Sequence, residues 1–208
     1  MGKYPNRKEI RNLGKEELGV IVPQNPIIKR WKSWLESYQF NMAYIQDDYS
    51  WFVCVLALKA VNSGNFGVGS VLVDSKGKIL VWGHNEVFNP FFHSDRHAEM
   101  VVMNKFEEAY QHITTLKGYT LYISLESCTM CLARLIFSRI NQVLYVSEDA
   151  AAGMIHKIKD LPPIFRALAK EQVFTQTKCS EDLKSAASQI FLINAGELNS
   201  RFEHRLHK

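Results

Sequence analysis

The chain is poor in cysteine, with four in 208 residues, and it lacks any apolar run of membrane-spanning length. Its longest uncharged apolar stretch, Tyr49 to Leu58, lies between Asp48 and Lys59. That is about half of the roughly 20 residues a spanning helix needs, so no membrane association is expected. The first twenty residues, MGKYPNRKEIRNLGKEELGV, lack the apolar block of a secretory signal. Gly2 is not followed by the Ser or Thr at position 6 that a myristoylation motif wants, because Asn6 stands there. Export and lipid anchoring are therefore not expected, and a cytoplasmic location is. In that setting Cys54, Cys128, Cys131 and Cys179 are thiols or metal ligands before they are disulfides. Internal repeats and low-complexity tracts are also missing.

Apolar residues are plentiful, at 47% of the chain with 12 Phe, 8 Tyr and 4 Trp, enough to offset chain entropy in one core. Disordered and collagen-like readings fall away. Before Gln46 there are eight basic residues (Lys3, Arg7, Lys8, Arg11, Lys15, Lys29, Arg30 and Lys32) against four acidic ones. This segment therefore holds the whole net charge of +4, and the remaining 17 basic and 17 acidic residues cancel. Any affinity for a polyanion is expected to begin there.

Residues 1 to about 25 mix charge with Gly and Pro and show no sustained period, which predicts an extended or partly ordered arm. From Pro26, Ile27, Trp31, Trp34, Leu35 and Tyr38 recur at helical spacing and predict a docking helix. Asp47 and Asp48 are placed to cap a buried helix running to about Val61. Val68 to Asp74 and Lys78 to Trp82 predict a hairpin through Ser75-Lys76-Gly77. Helical spacing resumes at Met100, Val101, Phe106 and Tyr110. Strands are predicted at Tyr119–Leu125, Gln142–Ser147 and Gln172–Thr177, with helices at Thr129–Ser138 and from Pro162 to about Lys170. One closing helix is predicted from Glu181 to about Arg205. Strands separated by such helices cross over and run parallel. The outcome is a three-layer α/β/α fold with a mixed five-stranded sheet, as residues 46–208, preceded by an N-terminal extension with a docking helix, residues 1–45.

Two short motifs carry chemistry: His97-Ala98-Glu99, and Cys128-Thr129-Met130-Cys131. Both fall where a helix begins. Cysteines three apart in a first turn share a face, and the positive helix end favours their thiolates. Two thiolates and an imidazole suit a tetrahedral Zn²⁺ whose fourth position stays open, the arrangement of a catalytic site. Read alone, the CxxC is also compatible with a redox pair or half of a structural zinc site, but a thioredoxin-like setting and a second Cys pair are both missing. Glu99 adds a carboxyl able to shuttle protons to a ring nitrogen and to a leaving ammonia. His-x-Glu followed by Cys-x-x-Cys is the signature of zinc nucleobase deaminases.

With these residues the chain resembles the zinc-dependent cytidine deaminase-like superfamily, and within it the branch of guanine deaminases and tRNA adenosine deaminases. The resemblance runs from about residue 47 to 205. It includes Gly67-Val68-Gly69-Ser70-Val71-Leu72-Val73, Gly83-His84-Asn85, His97-Ala98-Glu99 and the stretch from Thr120-Leu121-Tyr122 through Cys131 to Ser138-Arg139-Ile140. It implies that His97, Cys128 and Cys131 hold zinc, that Glu99 is the catalytic shuttle, and that Asn85 hydrogen-bonds the base. Where the family has Pro before the first Cys, this chain has Ser127, and His93-Ser94-Asp95-Arg96 replaces the family's Asp-Pro-Thr-Ala.

The expected activity is hydrolytic deamination of a nucleobase or nucleoside, with a free purine such as guanine first, adenosine in tRNA second and cytosine-type substrates third. An inactive deaminase-fold scaffold is the alternative outside enzymes, and the presence of Glu99 argues against it. A small-molecule substrate, tRNA and a second copy of the chain in a homodimer are the partners considered. Cys54 reads as a buried apolar residue and Cys179 as an incidental turn thiol. Asn85 has an ordinary turn role as its alternative. Phe91 and Phe92 read as plugs of their loop, and His84 and His93 as loop histidines. Trp31 and Trp34 read as packing residues.

Overall fold

The computed structural model describes residues 7–206, and Gly2, Lys3, Pro5 and Asn6, discussed above, lie outside them. The strands are β1 (Gly69–Val73), β2 (Ile79–His84), β3 (Thr120–Leu125), β4 (Gln142–Ser147) and β5 (Val173–Gln176), in the order β2-β1-β3-β4-β5. β1 runs antiparallel to β2 and to β3, whereas β4 is parallel to both β3 and β5. The β1–β2 turn closes because Asp74 Oδ1 accepts from the Lys76 and Lys78 N–H groups at 2.8 and 2.9 Å. Gly77 there takes the positive φ of 81° that other residues resist.

Alternation along the strands feeds two cores. Val71, Val73 and Tyr122 face one side with helices α3 (Asp47–Asn62) and α7 (Glu181–Leu192). Leu72, Leu121 and Ile123 face the other with α4 (Ala98–Ala109) and α5 (Thr129–Phe137), and α6 (Pro163–Ala169) packs beside α5. The mixed five-stranded, three-layer architecture expected from the sequence is the one observed.

Three local expectations need correction. First, the N-terminal arm is a helix, α1 (Arg7–Gly19), whose buried face is only Ile10, Gly14 and Leu18. A stripe one residue wide is lost among the charges around it. Gly14 belongs to the stripe because α1 lies against α3, where a Cβ on Gly14 would come within 2.1 Å of Trp51 Cζ3. α2 (Pro26–Glu36) is the docking helix, capped by Asn25, whose Oδ1 accepts from the Ile27 and Ile28 N–H groups, both at 3.0 Å. Ile28, Trp31 and Leu35 are buried beneath it, Ile27 is exposed, and Tyr38 lies just past its end.

Second, Asp47 and Asp48 do not cap α3. Gln46 holds the cap position, and both carboxylates are fully buried in the first turn. Asp47 accepts from Tyr38 Oη, Asn41 N and Ser180 N at 2.8–2.9 Å, while Asp48 pairs with Arg11 at 2.6 Å and Arg7 at 3.4 Å. Two basic residues of the expected polyanion segment are thus used internally.

Third, the closing helix breaks. α7 ends at Leu192 and α8 (Ala195–Glu203) follows, because Asn194 Nδ2 donates to Asn65 O at 2.8 Å at the bend. The bend brings Leu198 and Phe202 onto Phe66, Val87 and Phe88. Within the described residues no helix is long and apolar enough to cross a membrane.

Candidate functional site

The site forms where two chain reversals leave the sheet. β2 ends at His84 and delivers Asn85, after which a loop leads to His97 at the N-cap of α4. β3 ends at Leu125 and delivers Glu126, Ser127 and Cys128, the N-cap of α5. Both cap residues have extended backbone, with ψ of 157° and 174°, and neither side chain caps its own helix. Each is free to point into the space between the two helix starts, where the dipoles favour negative charge.

His97 Nδ1 and Cys128 Sγ stand 3.6 Å apart, and the ligating atoms of His97, Cys128 and Cys131 all lie within 4.8 Å of one another. With Zn–S near ~2.3 Å and Zn–N near ~2.0 Å, tetrahedral ligand atoms are separated by roughly 3.5–3.8 Å, so the cluster fits the ion with little movement. Two sulfurs and one imidazole also match the ligand softness of zinc. The hydrogen bond from Cys131 pulls the Cys128 thiol down to about 4, helped by His97. That same bond, with burial, pushes Cys131 well up. Burial would depress His97, but its bond to Cys128 and the neighbouring negative charges raise it. The cluster therefore has thiolate character that a cation can use.

Glu99, in the first turn of α4, is 4% exposed, and burial raises its carboxyl above the usual range. Ser127 Oγ donates to its Oε1 at 2.9 Å. Asn85 is 2% exposed; its Oδ1 accepts from Val87 N at 3.1 Å, and no protein partner for its Nδ2 occurs among the described residues. A cavity of about 300 Å³ brings together His97, Cys128, Glu99 and Asn85. Phe66, Phe191 and Phe202 supply its apolar wall.

The structure thus places Glu99 and Asn85 in one cavity beside the three-ligand cluster. Other groups fall elsewhere. Cys54 is fully buried and donates to Leu183 O at 3.8 Å, and Cys179 is buried against Thr177 Oγ1 at 3.2 Å. Phe92 packs on Phe88 and Phe202, as a plug, whereas Phe91 is exposed beside His93. Arg96 clasps the loop through an ion pair with Glu86, and Glu86 N donates to Arg96 O at 2.9 Å. Its side chain is therefore a loop fastener. Sequence reasoning missed the aromatic wall from Phe66, Phe191 and Phe202, since it exists only because α7 and α8 are separate. The run Asn194-Ala195-Gly196 was the available signal for that break. It also missed the bond between Ser127 and Glu99.

Residues 46–147 match the family model of the cytidine and deoxycytidylate deaminase zinc-binding region. The chain is 36% identical over 99 residues to the tRNA-specific adenosine deaminase of Bacillus subtilis, covering 47% of this chain and 58% of that protein. The Haemophilus influenzae protein of the same name is 35% identical over 102 residues, covering 48% and 57%. The chain thus spans under three fifths of the length of these two relatives. Among solved structures, a tRNA:A34 deaminase superposes with a TM-score of 0.52 and 25% identity, over 66% of this chain and 94% of that one. The guanine deaminase of Nitrosomonas europaea shares the fold, with a TM-score of 0.55 at 14% identity over 82% and 94%. With the fold and the three converging ligands in agreement with that match, residues 46–147 belong to the cytidine and deoxycytidylate deaminase zinc-binding family.

Proposed function

We propose that the protein is a zinc-dependent hydrolase that deaminates a nucleobase or nucleoside, with a free purine such as guanine as its substrate class. The observation that carries this reading is a buried carboxyl, Glu99, in one aromatic-walled cavity with the His97, Cys128 and Cys131 cluster. Zinc held by those three residues would supply a nucleophile at neutral pH. In the overall reaction water replaces the exocyclic amino group, the C–N bond breaks and the ring keeps the oxygen as a carbonyl. One proton must reach the ring nitrogen and one the leaving ammonia, and Glu99 carries both. Phe66, Phe191 and Phe202 offer ring faces for stacking and exclude water. Asn85 orients the base through Nδ2, its Oδ1 being held by Val87 N. Phe202 of α8 packs on Phe66 and Phe88 at the cavity wall, and that cover favours a small substrate.

Adenosine in tRNA is the second reading, favoured by the names of the bacterial relatives. Exposed Lys157, Lys159, Arg166 and Lys170, which have no ion-pair partner among the described residues, follow the 149–153 segment beside the cavity and would meet phosphate. Ammonia release from guanine, adenine, guanosine, adenosine, cytosine, cytidine and a tRNA transcript tests both readings. Turnover of a free purine or its nucleoside supports the first; turnover of tRNA alone replaces it with the second. If none releases ammonia, the enzymatic reading fails.

Two further expectations arise from the site. The purified protein should carry about one zinc per chain by elemental analysis, and His97→Ala and Cys128→Ala should each lose most of it. Full retention of zinc in both variants would rule out this ligand set. Asn85→Asp keeps the acceptor for Val87 N and removes the Nδ2 donor, so zinc should remain while kcat/KM falls by an equivalent of about 1–3 kcal/mol. Unchanged kinetics would leave Asn85 as a residue that shapes its loop.

A further inference from the structure

Ser127 stands at a junction that the proposed roles leave unassigned. It is fully buried, directly precedes the ligand Cys128, and its Oγ donates to Glu99 Oε1 at 2.9 Å across 28 residues of sequence. Glu99 in turn lies two residues beyond His97. One hydroxyl therefore ties the start of α4 to the start of α5 at the point where the cluster converges. The main chain at Ser127 is held as well: its carbonyl accepts from Met154 N at 3.0 Å, and the preceding Glu126 N donates to Ser147 O at 2.8 Å. The hydroxyl thus projects from a backbone anchored on both sides. A glutamate side chain has three torsions, and a carboxyl must keep one orientation to serve a reaction at a fixed atom.

We propose that Ser127 is a positioning residue, whose hydroxyl fixes the orientation of the Glu99 carboxyl in the cavity. This rests on the deaminase reading for its kinetic consequence but not for its structural one. Ser127 carries no ligating atom of the cluster, so zinc binding should not depend on it.

The test uses full-length, zinc-loaded Ser127→Ala and Ser127→Thr beside the parent, with the free purine or nucleoside that the parent turns over. Ser127→Ala should keep about one zinc per chain and a KM within about threefold, while kcat falls about ten- to a hundredfold, the loss of one buried hydrogen bond to a carboxyl. Ser127→Thr keeps a hydroxyl and should recover most of the lost kcat. A kcat within threefold of the parent in Ser127→Ala, a rise in KM alone, or loss of zinc from Ser127→Ala would each overturn the proposal. Crystal structures of the zinc-loaded proteins give a readout independent of turnover. Glu99 should occupy one rotamer in the parent and in Ser127→Thr, and several in Ser127→Ala. A single unchanged rotamer in Ser127→Ala would overturn the inference. A parent that deaminates nothing would overturn the functional reading alone.

Discussion

Glu99→Gln is expected to abolish nearly all turnover, by about 10²- to 10⁴-fold in kcat, while leaving the fold and the zinc in place. Glutamine has the shape of the carboxylate, and its amide oxygen can still accept from Ser127 Oγ, which stands 2.9 Å from Oε1. The packing around a side chain only 4% exposed is therefore kept. What glutamine cannot do is take up and release a proton between water, ring nitrogen and departing ammonia. Burial also holds the native carboxyl above its usual range, closer to the neutral pH at which such a group both accepts and donates. Metal content and ammonia release measured on the same preparation separate the two effects. Turnover within about tenfold of the parent, with zinc present, would remove Glu99 from the shuttle role and leave the chemistry to be assigned elsewhere in the cavity.

The parts of this site that were legible in the sequence are those set by local chain geometry. A CxxC at a helix start puts two sulfurs on one face whatever the rest of the fold does, and His97, on the extended N-cap backbone, reaches the same cavity as Glu99 in the first turn of α4. The strands were legible for a similar reason. Val143, Leu144, Tyr145 and Val146 form a continuous buried run, and β4 occupies the predicted Gln142–Ser147 span. Less could be read where tertiary contacts decide. α7 and α8 form one periodic pattern until Asn194 binds Asn65 O, a contact 129 residues away in sequence. α1 hides its buried stripe among charges because one of its three buried positions is Gly14, which lies against the Trp51 indole and carries no large side chain to mark the face. Ser127 in place of the family's Pro adds a hydroxyl that the sequence shows, but only the approach of α4 to α5 makes it a partner for Glu99.

Deleting residues 1–40 is expected to abolish cooperative folding, which separates a structural N-terminus from a detachable one. Ile10, Leu18, Ile28, Trp31 and Leu35 are each at most 8% exposed and share one core with Trp51, Phe52 and Val55 of α3. At roughly 1.5–3 kcal/mol per buried side chain, removing five of them forfeits on the order of 10 kcal/mol, comparable to the whole stability of a domain. The polar contacts fail in the same direction. Asp48, fully buried, loses Arg7 and Arg11; Asp47 loses Tyr38 Oη; and Trp51 Nε1 loses the Leu35 carbonyl at 3.0 Å. A buried carboxylate stripped of its cations costs about 3–5 kcal/mol by itself. Lys59 and Trp82, which both bind Glu17 of α1 at 2.6 and 2.8 Å, would be released as well. Circular dichroism and thermal denaturation of the chain starting at Asn41 provide the measurement. The expected result is an aggregating or non-cooperative species. A soluble truncated chain that melts cooperatively within about 5 °C of the parent would show instead that residues 1–40 are an appendage, and would return their basic residues to consideration as phosphate contacts.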